Sequence, residues 1–166
     1  MPAVVTRLGI VENLDFFPVI DALESAEKPV GVEIIKDTAS RLTEKFLTGE
    51  VDIAPLPSVM YAHHMEKCVI LPDLSLGAEG PAANLMLLSK VPVRYLGGRT
   101  VCLPDGAASS YALLRILLEH CFEITVNYIR VPYGLEKMLH FGDAALVYGY
   151  AALELKLNPP PGLHLL

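Results

Sequence analysis

The feature that most limits the fold is a repeated local grammar. Short apolar runs end in turns of Pro, Gly, Ser, Asn or Asp, and helical patterns follow them. It is densest from Val51 to Pro92, V-D-I-A-P-L-P-S-V-M-Y-A-H-H-M-E-K-C-V-I-L-P-D-L-S-L-G-A-E-G-P-A-A-N-L-M-L-L-S-K-V-P. Two strand-like runs there close on small-residue turns, and a short helix opens at Pro57-Ser58. Alternating strands and helices predict an α/β fold built on a parallel sheet with right-handed crossovers. Strand ends that feed helix N-termini collect small polar side chains and free backbone N–H groups, which is where α/β sheets bind ligands.

Taken in order, Val4–Val11 reads as a strand broken by Asn13-Leu14-Asp15, with a helix starting at Phe16-Phe17-Pro18 and Asp15 as its expected cap. Val30–Ile35 is a second strand. Asp37 or Thr38 caps the next helix, where Ala39, Leu42 and Phe46 recur at helical spacing before Gly49. Val51–Leu56 is a third strand, Ser58–His64 a short helix, Cys68–Leu71 an apolar run, and Ala82–Ser89 a long strand. After a Gly- and charge-rich shift at Arg94–Gly98 the grammar restarts. A strand at Thr100–Leu103 leads through Pro104-Asp105-Gly106-Ala107-Ala108 to a helix from Ser109, with Leu113, Leu114, Leu117, Leu118 and Cys121 as its apolar stripe. Strands at Thr125–Val131 and Ala144–Tyr148 alternate with helices at Tyr133–His140 and from Gly149. Asn158-Pro159-Pro160-Pro161-Gly162 is expected to end regular structure. The layout is two lobes of parallel βα units, 1–93 and 94–157, with a Pro-rich turn and tail over 158–166.

At 166 residues, 52% of them hydrophobic, the chain can bury a sizeable core, and its continuous apolar runs suit strands covered on both faces. No apolar run reaches the roughly 18 residues of a membrane helix, and the start lacks a secretory signal pattern, so a cytoplasmic protein is expected. A net charge of −6 with no Lys/Arg cluster argues against a nucleic-acid partner, although helix N-termini and hydroxyls still hold small carboxylates. Cys68, Cys102 and Cys121 form neither a disulfide framework nor a zinc pattern and read as buried thiols.

No phosphate loop, zinc-protease helix or nucleophile elbow is present. His63 and His64 point about 100° apart on a helix and cannot share a metal, while His120 and His140 suit the last turns of helices. What remains is a set of polar turns: Asp15 after the first strand, Ser58 after the third, and Ser109 and Ser110 after the first strand of the second lobe. Asn84 joins them if the Gly80-Pro81 loop lies on the same rim. As caps alone, Asp15, Ser58 and Ser109 need no function. Their shared place at strand carboxyl ends, expected to face one cleft, singles them out.

At these same turns the chain resembles the chorismate dehydratase family of the futalosine route to menaquinone. The similar segments are Arg7–Val19, Leu47–Ala62, Val69–Pro92, Val101–Leu118 and Asp143–Leu153, with I-L-P-D-L-S…G-P the most specific. The resemblance implies a two-lobed fold of the type 2 periplasmic-binding-protein kind. It also implies a hydro-lyase that takes water from chorismate to give 3-[(1-carboxyvinyl)oxy]benzoate, with no metal and no organic cofactor. Asp15 and Asn84 then take the catalytic positions. Pro57, Ser58, Gly80, Ser109, Ser110 and Tyr150 take the substrate, an aromatic-type dicarboxylate. The family usually carries Asn at the position of Asp15, Ser at that of Asn84 and Asp at that of Tyr150. Its members also continue past this end to complete the first lobe. The first lobe is therefore expected to be incomplete here, covered by a homo-oligomer partner. A second reading of the same residues is a non-catalytic module or degenerate relative that binds a small carboxylate without turnover.

Overall fold

Parallel pairing of two six-residue strands begins the fold. A computed structural model describes residues 5–25, 31–77, 79–80, 84–106 and 108–166. The expected strand starts at Val4, Val30 and Ala82, and turn residues Pro81 and Ala107, lie outside them. Internal contacts divide the chain into two compact units, Met1–Leu76 and Gly77–Leu166.

In the first unit β1 (Thr6–Val11) pairs in parallel with β2 (Val32–Asp37), Thr6 opposite Val32 and Val11 opposite Asp37. Between them a 3-10 turn at Leu14–Phe16 leads into α1 (Phe17–Ser25). The cap there is Asn13 and not Asp15: the Asn13 side chain accepts from the Phe16 N–H at 3.0 Å. Thr38 caps α2 (Ala39–Leu47) by accepting from the Arg41 N–H, and Asp37 binds the Thr38 N–H and the Lys45 ammonium, at 2.8 and 2.7 Å. The expected third strand contracts to a single parallel bridge, Leu8 to Ile53. Pro55 and Pro57 carry no N–H to extend the ladder. Arg7 fixes this segment instead, its guanidinium gripping both Asp52 carboxylate oxygens. That pairing holds the Asp52 carboxyl at about 2. Leu42 and Val51 are buried against Gly9 on one face of β1, and Ile10 is buried beside it in the strand. The apolar run at Cys68–Leu71 is irregular chain, not strand, and Val69, Ile70, Leu71, Leu74 and Leu76 are exposed. Helix α3 (Ser58–His63) closes the unit's regular structure.

The second unit is a five-stranded mixed sheet, ordered β5-β4-β6-β3-β7. Strands β4 (Thr100–Leu103), β5 (Asn127–Arg130) and β6 (Ala144–Tyr148) run parallel. Strand β3 (Leu85–Ser89) runs against β6, Leu85 opposite Tyr148 and Ser89 opposite Ala144. The long strand before Lys90, which the sequence places in a lobe reaching to residue 93, pairs in the second unit's sheet. The tail after the proline turn is not irregular, because β7 (His164–Leu165) pairs antiparallel with β3.

Period-two alternation sorts the apolar strand residues onto two covered faces. Leu87, Val101, Leu103 and Leu146 pack on one face with Leu114 and Leu118 of α4 (Ala108–Arg115) and its π-helical continuation to Cys121. Met86, Leu88, Cys102, Ala145 and Val147 pack on the other with Met138 of α5 (Leu135–Phe141) and Ala152 of α6 (Tyr150–Leu157). The stripe expected on α4 is narrower than drawn: Leu113 and Cys121 are exposed. Of the three thiols only Cys102 is buried. Cys68 is half-buried and Cys121 exposed, the latter on the outer side of the π turn. Gly142, between α5 and β6, is required by close approach, since a Cβ there would stand 2.6 Å from the Cys102 sulfur.

Candidate functional site

The sequence-named residues fall into two sets, one on each unit. On the first unit, Asp15 lies four residues past the end of β1, and Ser58 opens α3 beyond the segment bridged to Leu8. Both therefore follow the carboxyl edge of the β1–β2 pair, where the first turn of a helix points its N–H groups outward. Asp15 and Ser58 are exposed and Pro57 is half-buried. Pro57 stands at the N-cap of α3, and its carbonyl accepts from the Met60 N–H at 2.8 Å.

On the second unit the carboxyl ends of β4 and β6 deliver Ser109, Ser110 and Tyr150. Ser109 and Ser110 sit half-buried in the first turn of α4, and Tyr150 opens α6 with its side chain 80% exposed. Asn84 reaches the same edge through the antiparallel direction of β3, which sets Leu85 opposite Tyr148. A hydrogen bond fixes it there, the Gly149 N–H donating to the Asn84 carbonyl at 2.8 Å. Gly80 is exposed, with φ at +85°.

The sequence reading missed two tyrosines at this edge. The Tyr148 hydroxyl donates to the Asp105 carbonyl in the β4–α4 turn, and the Tyr133 hydroxyl donates to the Tyr148 carbonyl, each at 3.1 Å. Their rings stand 5.4 Å apart. Burial pushes both phenols above the ordinary tyrosine range, with the charge of Asp105 adding to the effect at Tyr148. The Arg130 guanidinium approaches the Asp105 carboxylate at 3.9 Å with both groups well exposed, an ion pair of little stabilising value. An aromatic residue ending the buried run A-A-L-V-Y is the one sequence signal that points to Tyr148.

Beside the Asp15 and Asp105 carboxylates and the Arg130 guanidinium, the two edges carry neutral polar groups: hydroxyls, an amide and helix-start N–H groups. Such a set hydrogen-bonds a carboxylate without a cation of its own. Among the described residues no three His, Cys, Asp or Glu side chains are grouped to hold a metal ion. No helix among them is long and apolar enough to cross a membrane.

Comparison with known proteins agrees with this architecture. The chain is 29% identical over 124 residues to a chorismate dehydratase of Thermus thermophilus, a match covering 75% of this chain and 44% of that protein. The aligned region thus spans less than half of the curated relative. Among solved structures, a protein of Archaeoglobus fulgidus superposes with a TM-score of 0.62 at 18% identity, covering 96% of this chain and 58% of that one. The alkanesulfonate-binding protein of Xanthomonas axonopodis pv. citri, bound to MOPS, gives 0.62 at 15% identity, covering 99% and 60%. These likenesses identify the fold as that of type 2 periplasmic binding proteins. A family model described as menaquinone biosynthesis matches residues 6–164. From its sixth residue almost to its last, this chain belongs to the menaquinone biosynthesis family.

Proposed function

We propose that the chain acts on chorismate as a hydro-lyase, yielding 3-[(1-carboxyvinyl)oxy]benzoate and water. The observation that carries this reading is the 29% identity to a chorismate dehydratase across three quarters of the chain. In the reaction the proton on ring carbon C3 leaves to a base and is passed to the departing C4 oxygen, so that the hydroxyl leaves as water. Aromatisation of the ring drives both steps, so the protein's task is to hold two carboxylates and align two bonds. Ser58, Ser109 and Ser110 are assigned to the carboxylates. Tyr150, Pro57 and Gly80 shape the substrate's surroundings. Asp15 and Asn84 are assigned to the chemistry, Asp15 as proton acceptor and Asn84 as hydrogen-bonding partner of the departing hydroxyl.

The test is incubation of the purified chain with chorismate, with product followed by chromatography. Conversion that falls at least a hundredfold in Asp15→Ala is expected. No product, where the Thermus enzyme converts chorismate alongside, overturns the reading. A second reading, capture of a small carboxylate without turnover, is favoured by the acid at position 15 and the amide at position 84, where the family that the sequence resembles usually has Asn and Ser. A negatively charged Asp15 beside a dicarboxylate opposes binding unless it accepts a proton. Thermal stabilisation by chorismate without product would select this second reading.

A further inference from the structure

We propose that Tyr148 is a positioning residue that sets the β4–α4 turn for ligand binding. Its phenol hydroxyl pins the Asp105 carbonyl, and so fixes where Ser109 and Ser110 present their hydroxyls. The proposal rests on the carboxylate-binding role assigned above to those two serines.

Four residues of β6, Ala144 to Val147, are buried, and Tyr148 is where the strand leaves the core. Its ring crosses the sheet edge toward the neighbouring parallel strand, and its O–H reaches the backbone of the turn after β4 at 3.1 Å. That turn runs through Pro104, Asp105 and Gly106, the last at φ +83°, and Ser109 stands three residues on, in the first turn of α4. Gly106 has no Cβ to restrict its backbone, and a fixed Asp105 carbonyl limits the peptide next to it. Tyr133, in the loop after β5, steadies the device from the other side: its ring packs at 5.4 Å and its hydroxyl holds the Tyr148 carbonyl. The loops that follow β4, β5 and β6 are thus tied together through two phenols. A tyrosine phenol of ordinary value, about 10, is protonated throughout the neutral range, and burial and Asp105 only raise it, so the donor is present there.

Tyr148→Phe keeps the ring and deletes the donor. The first readout needs no ligand: hydrogen exchange, in the free protein, of the backbone amides of Ala112 and Leu113, whose acceptors lie in the first turn of α4. Loss of one ordinary hydrogen bond is expected to speed that exchange about 2- to 12-fold, leaving Val101–Leu103 unchanged. The second readout is the KM for chorismate, expected to rise by a similar factor with kcat within twofold. Tyr133→Phe is expected to produce the smaller change in both. Unchanged exchange at Ala112 and Leu113 overturns the proposal, and so does a fall in kcat at constant KM. If the wild-type chain neither binds nor converts chorismate, the functional reading fails, while the exchange readout still decides whether Tyr148 sets the turn.

Discussion

Replacing Gly149 with Ala isolates one backbone conformation at the candidate site. Gly149 caps α6 at φ 72° and ψ −150°, a region that residues bearing a Cβ almost never occupy. A Cβ built on it meets nothing within 4 Å, so no steric clash contributes and the cost lies in the dihedral angles. Holding a non-glycine residue there costs about 1–3 kcal/mol. Alanine also narrows the unfolded ensemble, offsetting about 0.4–1 kcal/mol, so the mid-range values leave a net loss of roughly 1.3 kcal/mol. For a unit of about 90 residues that corresponds to a fall of roughly 5–10 °C in melting temperature. The chain has no tryptophan and seven tyrosines, and six of these, all but Tyr61, lie in the second unit. Urea unfolding followed by tyrosine fluorescence therefore reports mainly on the unit that carries Gly149. The Asn84 carbonyl is held by the Gly149 N–H, so weaker chorismate binding should accompany the loss. A change below 0.5 kcal/mol would refute the reasoning, since the β6–α6 turn would then relax without cost and would not hold Asn84 in place.

Three further outcomes follow from the packing and the charges. Leu88→Ala, at a fully buried position between β6 and β7, should cost about 2–5 kcal/mol, read by urea unfolding, while amide protection in β1 and β2 stays unchanged. Asp52 titrates at about 2 in the folded chain and near the ordinary carboxylate value of about 3.9 when unfolded. The native state binds fewer protons between those values, so the contribution of Asp52 to stability is complete above about pH 4 and lost as pH falls through 2. Asp52→Asn should flatten that part of the curve of urea midpoint against pH. An unaltered slope would exclude the Arg7 pairing as its source. Burial, then the charge of Glu119, pushes the half-buried Tyr128 phenol up to about 12. Stability should fall as pH rises from about 10 to 12, because the unfolded tyrosine loses its proton first. Tyr128→Phe should remove that fall, checked by denaturation at pH 7 and 11.

The βα grammar of the second unit was legible because both its strand faces are covered. T-V-C-L and A-A-L-V are continuous apolar runs, and such runs are what a sheet buried on both sides demands. Direction was not legible. L-M-L-L-S reads the same run parallel or antiparallel, and only pairing with β6 revealed that β3 runs backwards and belongs to the second unit. The last strand is two residues long, too short for any period, and gains its order entirely from β3. In the first unit the expected third strand ignored the proline spacing at 55 and 57, which ends the ladder after one bridge. At the site, Ser109 and Ser110 were visible as small polar residues at a strand end, and Asn84 was named without the antiparallel strand that puts it there. Tyr133 and Tyr148 escaped notice because a side chain that binds backbone in a distant loop leaves no local pattern.

The central claim is most directly tested by adding chorismate to the purified 166-residue chain and resolving the products by chromatography. The account predicts a peak of 3-[(1-carboxyvinyl)oxy]benzoate that grows with protein concentration and vanishes in Asp15→Ala. Unchanged chorismate, in conditions where the Thermus thermophilus enzyme consumes it, would contradict the claim.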